Sequence, residues 1–402
     1  MQCFVATSTE TKADLASQEV AQSLKSNFGK DRPDLTFLFF STNFADEAQA
    51  IVSGIQEELS PRLLIGCMAD GVIGEGQEIE GSSAVIAWGA RLPGVSLVPI
   101  RLISSETEEK LSVQGWPEEL EYQTDNPFFF LFADPFSTPI EEVFSTIDHF
   151  CPGSQAIGGI ASGGIDLGEN RLVLNQEIFE SGMVGVALWG PISIRTVVSQ
   201  GCQPIGERYV VTRAERNIIY ELGGVRTLEC LQQTIQTLVE LRGQQAVMAL
   251  QVGVAIDEQR GHFQRGDFLI RGLVGADRQS GGVAVSDVVQ EGQTIQFHIR
   301  DVNAASEDLN LLLAQDRVVH PHNRPKGALL FSCNGRGRRF FAQPHHDVTT
   351  VRERTGDIPV AGFFAGGEIG PVAGKNYLHG YTASVALFCE AQNPSPIPPE
   401  RT

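Results

Sequence analysis

The stretch Cys333-Asn334-Gly335-Arg336-Gly337-Arg338-Arg339 has the makings of an anion grip. A planar guanidinium takes a carboxylate or phosphate through two parallel hydrogen bonds. Gly335 and Gly337 let the backbone close on such a group. Arg336, between the glycines, is the preferred anchor, whereas Arg338 and Arg339 read as solvated. Cys333 ends an apolar run beside this positive charge, which would lower its thiol pKa and activate it if exposed. If buried, it is a small hydrophobe. Glu368 lies in GFFAGGEIG (362–370), an acid among glycines suited to the ammonium group of a ligand or to an arginine. No GxSxG, Walker A or HExxH motif accompanies these residues, so a binding role is expected and no metal site. An enzyme using Cys333 as nucleophile with a histidine base is the alternative.

The element that holds Glu368 is one of three. The pattern G-x-x-A-x-G-x-I occurs as GCMADGVI (66–73), GGIASGGI (158–165) and GFFAGGEI (362–369). Apolar runs LTFLFFS (35–41), PFFFLFA (127–133) and GALLFS (327–332) precede the copies, and glycine-led aliphatic runs at 81–89, 182–190 and 380–388 follow them. The first two copies have a helix-length segment between run and motif, such as 138–150 with Ile140, Val143, Phe144 and Ile147 at helical spacing. The expected fold is therefore α/β: two pseudo-symmetric halves of repeated strand-helix-strand-glycine turn-strand units, with mixed sheets. In this register Glu368 matches Val72 and Gly164, so the glycines are shared scaffold and the acid is particular to the third copy. Asp70, Ser162 and Gly366 share the variable place inside the motifs, and Asp70 is the better candidate for a shared cleft.

Composition narrows the class. A formal charge of −19 over 402 residues opposes a nucleic-acid footprint, and no apolar run reaches membrane-spanning length. The N-terminus lacks the basic flank and apolar stretch of a signal peptide, so the cytoplasm is the expected compartment. Seven scattered cysteines without a CxxC pair read as reduced thiols. A tail with four prolines (391–402) is expected to be disordered.

FSCNGRGRRFF (331–341), AGFFAGGEIGPV (361–372), LHGYTAS (378–384) and SQGCQPIGERYVVTRAERNIIYELGG (199–224) together resemble the FIST sensory proteins over nearly the whole chain. The resemblance implies a FIST N-terminal domain over 1–201 and a FIST C-terminal domain over 204–388. It also implies a small-ligand sensor of signal transduction, with amino acids among the ligands. Arg336, Glu368, Asn334, Cys333, Gly335, Gly337, Gly366, Gly367, Phe363, Phe364, Tyr381 and Asp70 are the candidate ligand contacts. No kinase, cyclase or methyl-accepting segment is attached, so the expected partner is a separate signalling protein of the kinase or cyclase class. One branch of the family binds haem and responds to nitric oxide. A haem needs a proximal histidine, for which His379, then His345 and His346, are the candidates.

Overall fold

The computed structural model describes residues 1–106, 111–121, 123, 125–259, 263 and 266–391. All but the first residue of the proline-rich tail lie outside the described residues. Contacts divide the chain into two units. The first joins Met1–Val198, Asn310–Leu378 and the strand from Ala383, and the second joins Ser199–Leu309 and His379–Thr382.

The first unit holds three mixed sheets, with strands numbered in chain order. One runs β1 (Gln2–Ser8), β6 (Val85–Arg91), β2 (Leu35–Ser41), β3 (Leu63–Ala69), β11 (Leu172–Leu174), β12 (Glu177–Phe179). The next runs β8 (Leu111–Gln114), β7 (Ser96–Glu106), β13 (Met183–Trp189), β9 (Phe128–Ala133), β10 (Ala156–Ile160), β24 (Glu368–Val372), β25 (Lys375–His379). The last runs β14 (Ile192–Ser199), β26 (Ala383–Glu390), β22 (Gly327–Cys333), β23 (Val360–Ala365), β4 (Gly71–Gly74), β5 (Gln77–Glu80).

One scheme runs through all three. The strand before each motif (β2, β9, β22) pairs parallel with the motif strand (β3, β10, β23) and antiparallel with the aliphatic strand that follows (β6, β13, β26). On its other side each motif strand takes a hairpin from a different repeat. β11–β12 of the second repeat joins β3, β24–β25 of the third joins β10, and β4–β5 of the first joins β23. The α/β class and mixed sheets are as expected, but the symmetry visible in the pairing is threefold within this unit. The expected division into two pseudo-symmetric halves is not visible in this pairing.

The motif's first glycine has a steric cause. Gly66, Gly158 and Gly362 stand opposite Leu38, Leu131 and Leu330 across the parallel ladder, and a Cβ on any of the three would run into that leucine's carbonyl oxygen. Their antiparallel partners are Val173, Ile369 and Ile73. Ile165 is therefore not the counterpart of Ile73 and Ile369. It is 80% exposed, whereas Ile73, Ile369 and Val173 are fully buried. The second repeat inserts a loop before its hairpin, and Val173 takes the isoleucine's place. Glu368 accordingly matches Val72 and Leu172, which face Phe363 and Cys67 as Glu368 faces Gly159.

All seven residues of β2 are buried, as a strand covered on both faces requires. Phe37 and Phe39 point to a core that also receives Phe130, Phe132, Phe331, Phe363 and Phe388 from the other two sheets. Leu38 and Phe40 face α1 (Ala13–Phe28) and α2 (Ala48–Leu59) on the outside. α3 (Ile140–Phe150) covers the second sheet through Val143, Phe144 and Ile147, as its spacing predicts.

In the second unit, β15 (Cys202–Glu215), β21 (Thr294–Arg300), β18 (Leu250–Ala255), β19 (Phe268–Ala276), β20 (Val283–Val285) and β16 (Ile218–Leu222) pair antiparallel in a closed ring, with β17 (Val225–Arg226) beside β16. α4 (Thr227–Arg242) buries Cys230, Leu231 and Leu238 against this sheet. α5 (Val302–Val319) begins in this unit and ends in the first. Two more helices, α6 (Gly337–Phe341) and α7 (His346–Thr355), follow β22 in the first unit.

Candidate functional site at the carboxyl ends of the parallel strands

The three motifs meet. The Asp70 backbone N–H donates to Ser162 Oγ at 3.0 Å, and Ser162 Oγ–H donates to the Phe364 carbonyl at 2.5 Å. The Gly366 N–H reaches the Ile160 carbonyl, the Ile160 N–H reaches Gly367, and the Asn334 N–H reaches Ala365. Each link joins the carboxyl end of a parallel pair to that of a neighbour, or to its own preceding strand. Ser162 is buried while Asp70, Gly163, Gly366 and Asn334 are exposed. Asp70 of copy one, Ser162 of copy two and Phe364 of copy three are thus joined by hydrogen bonds.

Beneath this surface lies a charge cluster. Arg336 is 2% exposed and bidentate to Asp347, with Nε to Oδ2 at 2.7 Å and Nη2 to Oδ1 at 2.8 Å. Asp347 also accepts from Ser332 Oγ at 2.8 Å and from His346 Nδ1 at 3.0 Å. The His346 ring stacks on Phe341 at 3.5 Å between centroids, and the Arg336 guanidinium stands over the same phenyl ring. Burial alone would lift the Asp347 pKa, but the Arg336 charge and the hydrogen bonds hold it well below the usual carboxylate range. Burial alone would likewise lower Arg336, yet Asp347, then Cys333 and Glu368, keep it above its ordinary value.

The β4–β5 hairpin closes over α7. Glu78 is 5% exposed, and its Oε1 accepts the Val348 N–H at 2.9 Å while its own N–H donates to His345 Nδ1. Glu80 accepts the Arg338 N–H at 2.9 Å. Burial, reinforced by the Asp347 charge, pushes the Glu78 carboxyl up from 4.5 to about 7. A carboxyl whose folded pKa exceeds its unfolded one makes the folded state hold more protons between those values, so stability falls as pH rises across that window. Glu78→Gln is expected to flatten the pH dependence of the urea midpoint between 4.5 and about 7 and to raise it above pH 7. An unchanged slope would show that Glu78 is ionised throughout.

The sequence candidates therefore separate by place. Arg336 and Glu368, the latter 0% exposed, belong to the framework, and so does Phe363, which touches Phe39, Phe132 and Phe331 of three different sheets. Phe364 is buried and lies over Gly71, and Gly337 packs on the Glu80 carboxylate. Gly367 is buried, while Gly335 is half-buried and donates to Cys333 Sγ at 3.4 Å. Cys333, 9% exposed, is poorly placed as a nucleophile, and all seven cysteines are buried. Tyr381 sits in the second unit under the Arg300 guanidinium at 4.2 Å. The three candidate haem histidines each have a defined place in the fold. His346 is committed to Phe341 and Asp347, His345 Nδ1 takes the Glu78 N–H, and His379 is 3% exposed in the second unit. Sequence reasoning missed Asp347 and Glu78. Asp347 directly follows His346 and could have been weighed as the buried partner of Arg336, but nothing local marks Glu78.

The residue pattern matches known families in two segments: a FIST N domain over residues 34–225 and a FIST C domain over residues 227–371. An uncharacterized protein of Mycobacterium tuberculosis strain H37Rv is 38% identical over 97% of this chain and 100% of its own length. An uncharacterized protein of Mycobacterium bovis is 37% identical over 97% of this chain and 99% of its own. Among the described residues, no helix is long and apolar enough to cross a membrane.

Proposed function

The chain belongs to the FIST family, whose domains are sensory domains of signal transduction, and from that premise we propose a cytoplasmic sensor of a small anionic or zwitterionic molecule such as an amino acid. The single observation that carries the reading is the joining of the three motif turns through Asp70, Ser162 and Phe364. It places exposed polar groups at the carboxyl ends of parallel strands, where α/β proteins gather ligands. Asp70 offers a carboxylate to an ammonium group, while Asn334 and Arg338 offer donors to a carboxylate. Arg336, Asp347 and Glu368 act from beneath by fixing the loop after β22. Ligand contact favours one conformation for a separate signalling partner of the kinase or cyclase class, within the limit set by the ligand's differential affinity for the two states.

A thermal-shift screen of amino acids, small anions and haem tests this. A ligand at about 100 times its dissociation constant should stabilise the protein by roughly 2.7 kcal/mol. Asp70→Asn should shrink that shift without changing the unliganded melting point. Flat melting across the panel would favour an interaction scaffold instead.

A further inference from the structure

A cavity of about 610 Å³ opens between the segment after β2 and the β11–β12 hairpin. Its lining brings together Asp46, Gln49, Arg101, Arg171, Phe179 and Glu180. In a chain of net charge −19 this half-buried hollow is formally neutral, with Arg101 and Arg171 set against Asp46 and Glu180. Arg101 spends Nη1 on the Leu102 and Met183 carbonyls and lies 4.2 Å above the Phe179 ring. Among the described residues, no hydrogen-bond partner holds its Nε or Nη2. Arg171 is oriented by the carbonyls of Ala45, Gly168 and Asn170, and Nη1 also meets the Glu180 carboxylate at 3.3 Å. Glu180 is itself 61% exposed, so it holds that place weakly and can leave it.

The pseudo-equivalent junction shows what a filled version looks like. β12 meets α2 as β5 meets α7. At β5 the sequence GQEIE (76–80) supplies Glu78 and Glu80, whose carboxylates occupy the Val348 and Arg338 N–H groups. In the register of the two hairpins, Ile178 stands where β5 has Glu78, Phe179 where it has Ile79, and Glu180 where it has Glu80. The counterpart of Glu78 is thus apolar, so the carboxylate the hairpin brings to this junction is the exposed Glu180, and two guanidinium groups border it.

We infer that this cavity binds a small dicarboxylate, one carboxylate displacing Glu180 from Arg171 and the other taken by Arg101 over Phe179. Its volume lies in the range of small-molecule sites and leaves room for an organic dianion rather than a lone phosphate. The Nε–Nη2 edge of Arg101 suits one carboxylate, and Arg171 can turn its Glu180 contact over to the other. The inference goes beyond the site at Asp70 and stands or falls separately.

Titration calorimetry of the full chain with succinate, and separately with inorganic phosphate, tests it. Succinate should bind, Glu180→Gln should tighten it about threefold or more by removing the competing carboxylate, and Arg101→Gln should weaken it at least about tenfold. Glu180 is a surface side chain, so its variant remains informative if Arg101→Gln folds poorly. Absence of succinate binding, unchanged affinity in Glu180→Gln, or binding of phosphate alone would overturn the assignment. A ligand found in the thermal screen that answers to Asp70→Asn but not to these variants would leave the sensory reading standing while removing this one.

Discussion

Gly362→Ala is expected to cost about 3 kcal/mol or more of folding stability, and to leave much of the protein insoluble when expressed. The new Cβ would meet the Leu330 carbonyl oxygen, a backbone atom of β22, which is held by β23 on one side and by β26 on the other. No rotamer change relieves such a clash, because neither partner is a side chain. Gly66→Ala and Gly158→Ala meet Leu38 and Leu131 in the same way and should behave alike. The control is Gly366→Ala, in the same motif, where a Cβ finds ordinary contact with Ala161 at 3.5 Å. That variant should lie within about 0.5 kcal/mol of the parent. Urea unfolding of the four variants measures the difference. Equal stabilities for Gly362→Ala and Gly366→Ala would mean that the parallel ladder yields more than a packed strand can.

Asp347→Ala carries the second large expected effect, about 3–5 kcal/mol, since it strands the Arg336 guanidinium in the interior. Arg336 and Asp347 are both about 1% exposed at the side chain, so water cannot replace the lost partner. Ser332 loses its acceptor in the same step. Removing both charges should be milder: the double variant Arg336→Met, Asp347→Leu is expected to recover more than half of the loss, because the two partners of the buried ion pair leave together. A double-mutant cycle by chemical denaturation gives the coupling. A double variant no better than Asp347→Ala would point to the loop geometry, rather than the buried charge, as the cause.

The repeat was legible because a glycine opposite a backbone carbonyl tolerates nothing else, so Gly66, Gly158 and Gly362 stand in the sequence as a spacing. α3 and β2 were legible for the usual reason, apolar periodicity and a continuous apolar run. The isoleucine position failed in the second copy because residues 163–170 form an inserted loop there, and pattern matching assigned Ile165 to a place that Val173 fills. The exchange of hairpins left no local trace, since pairing between repeats is decided at long range. Among the candidate site residues, glycine spacing drew attention to the loop after β22, yet it could not say that Arg336 already had a carboxylate. Arginine between glycines looks the same whether its partner is a ligand or Asp347. Arg101 and Arg171 lie 70 residues apart in sequence and share a cavity only through the fold.

The cyclic passing of hairpins has a consequence for any shorter ancestor. A lone repeat would carry one motif strand with an open edge and one hairpin with nowhere of its own to pair. Exposed edges of that kind recruit strands from other chains. Three identical copies could satisfy one another around a ring, each lending its hairpin to the next, so the unit's present connectivity is that of a homotrimer whose subunits have been written into one chain. Copies joined in one chain can differ, as they do where Glu78 seals one junction and Ile178 holds the matching place in another.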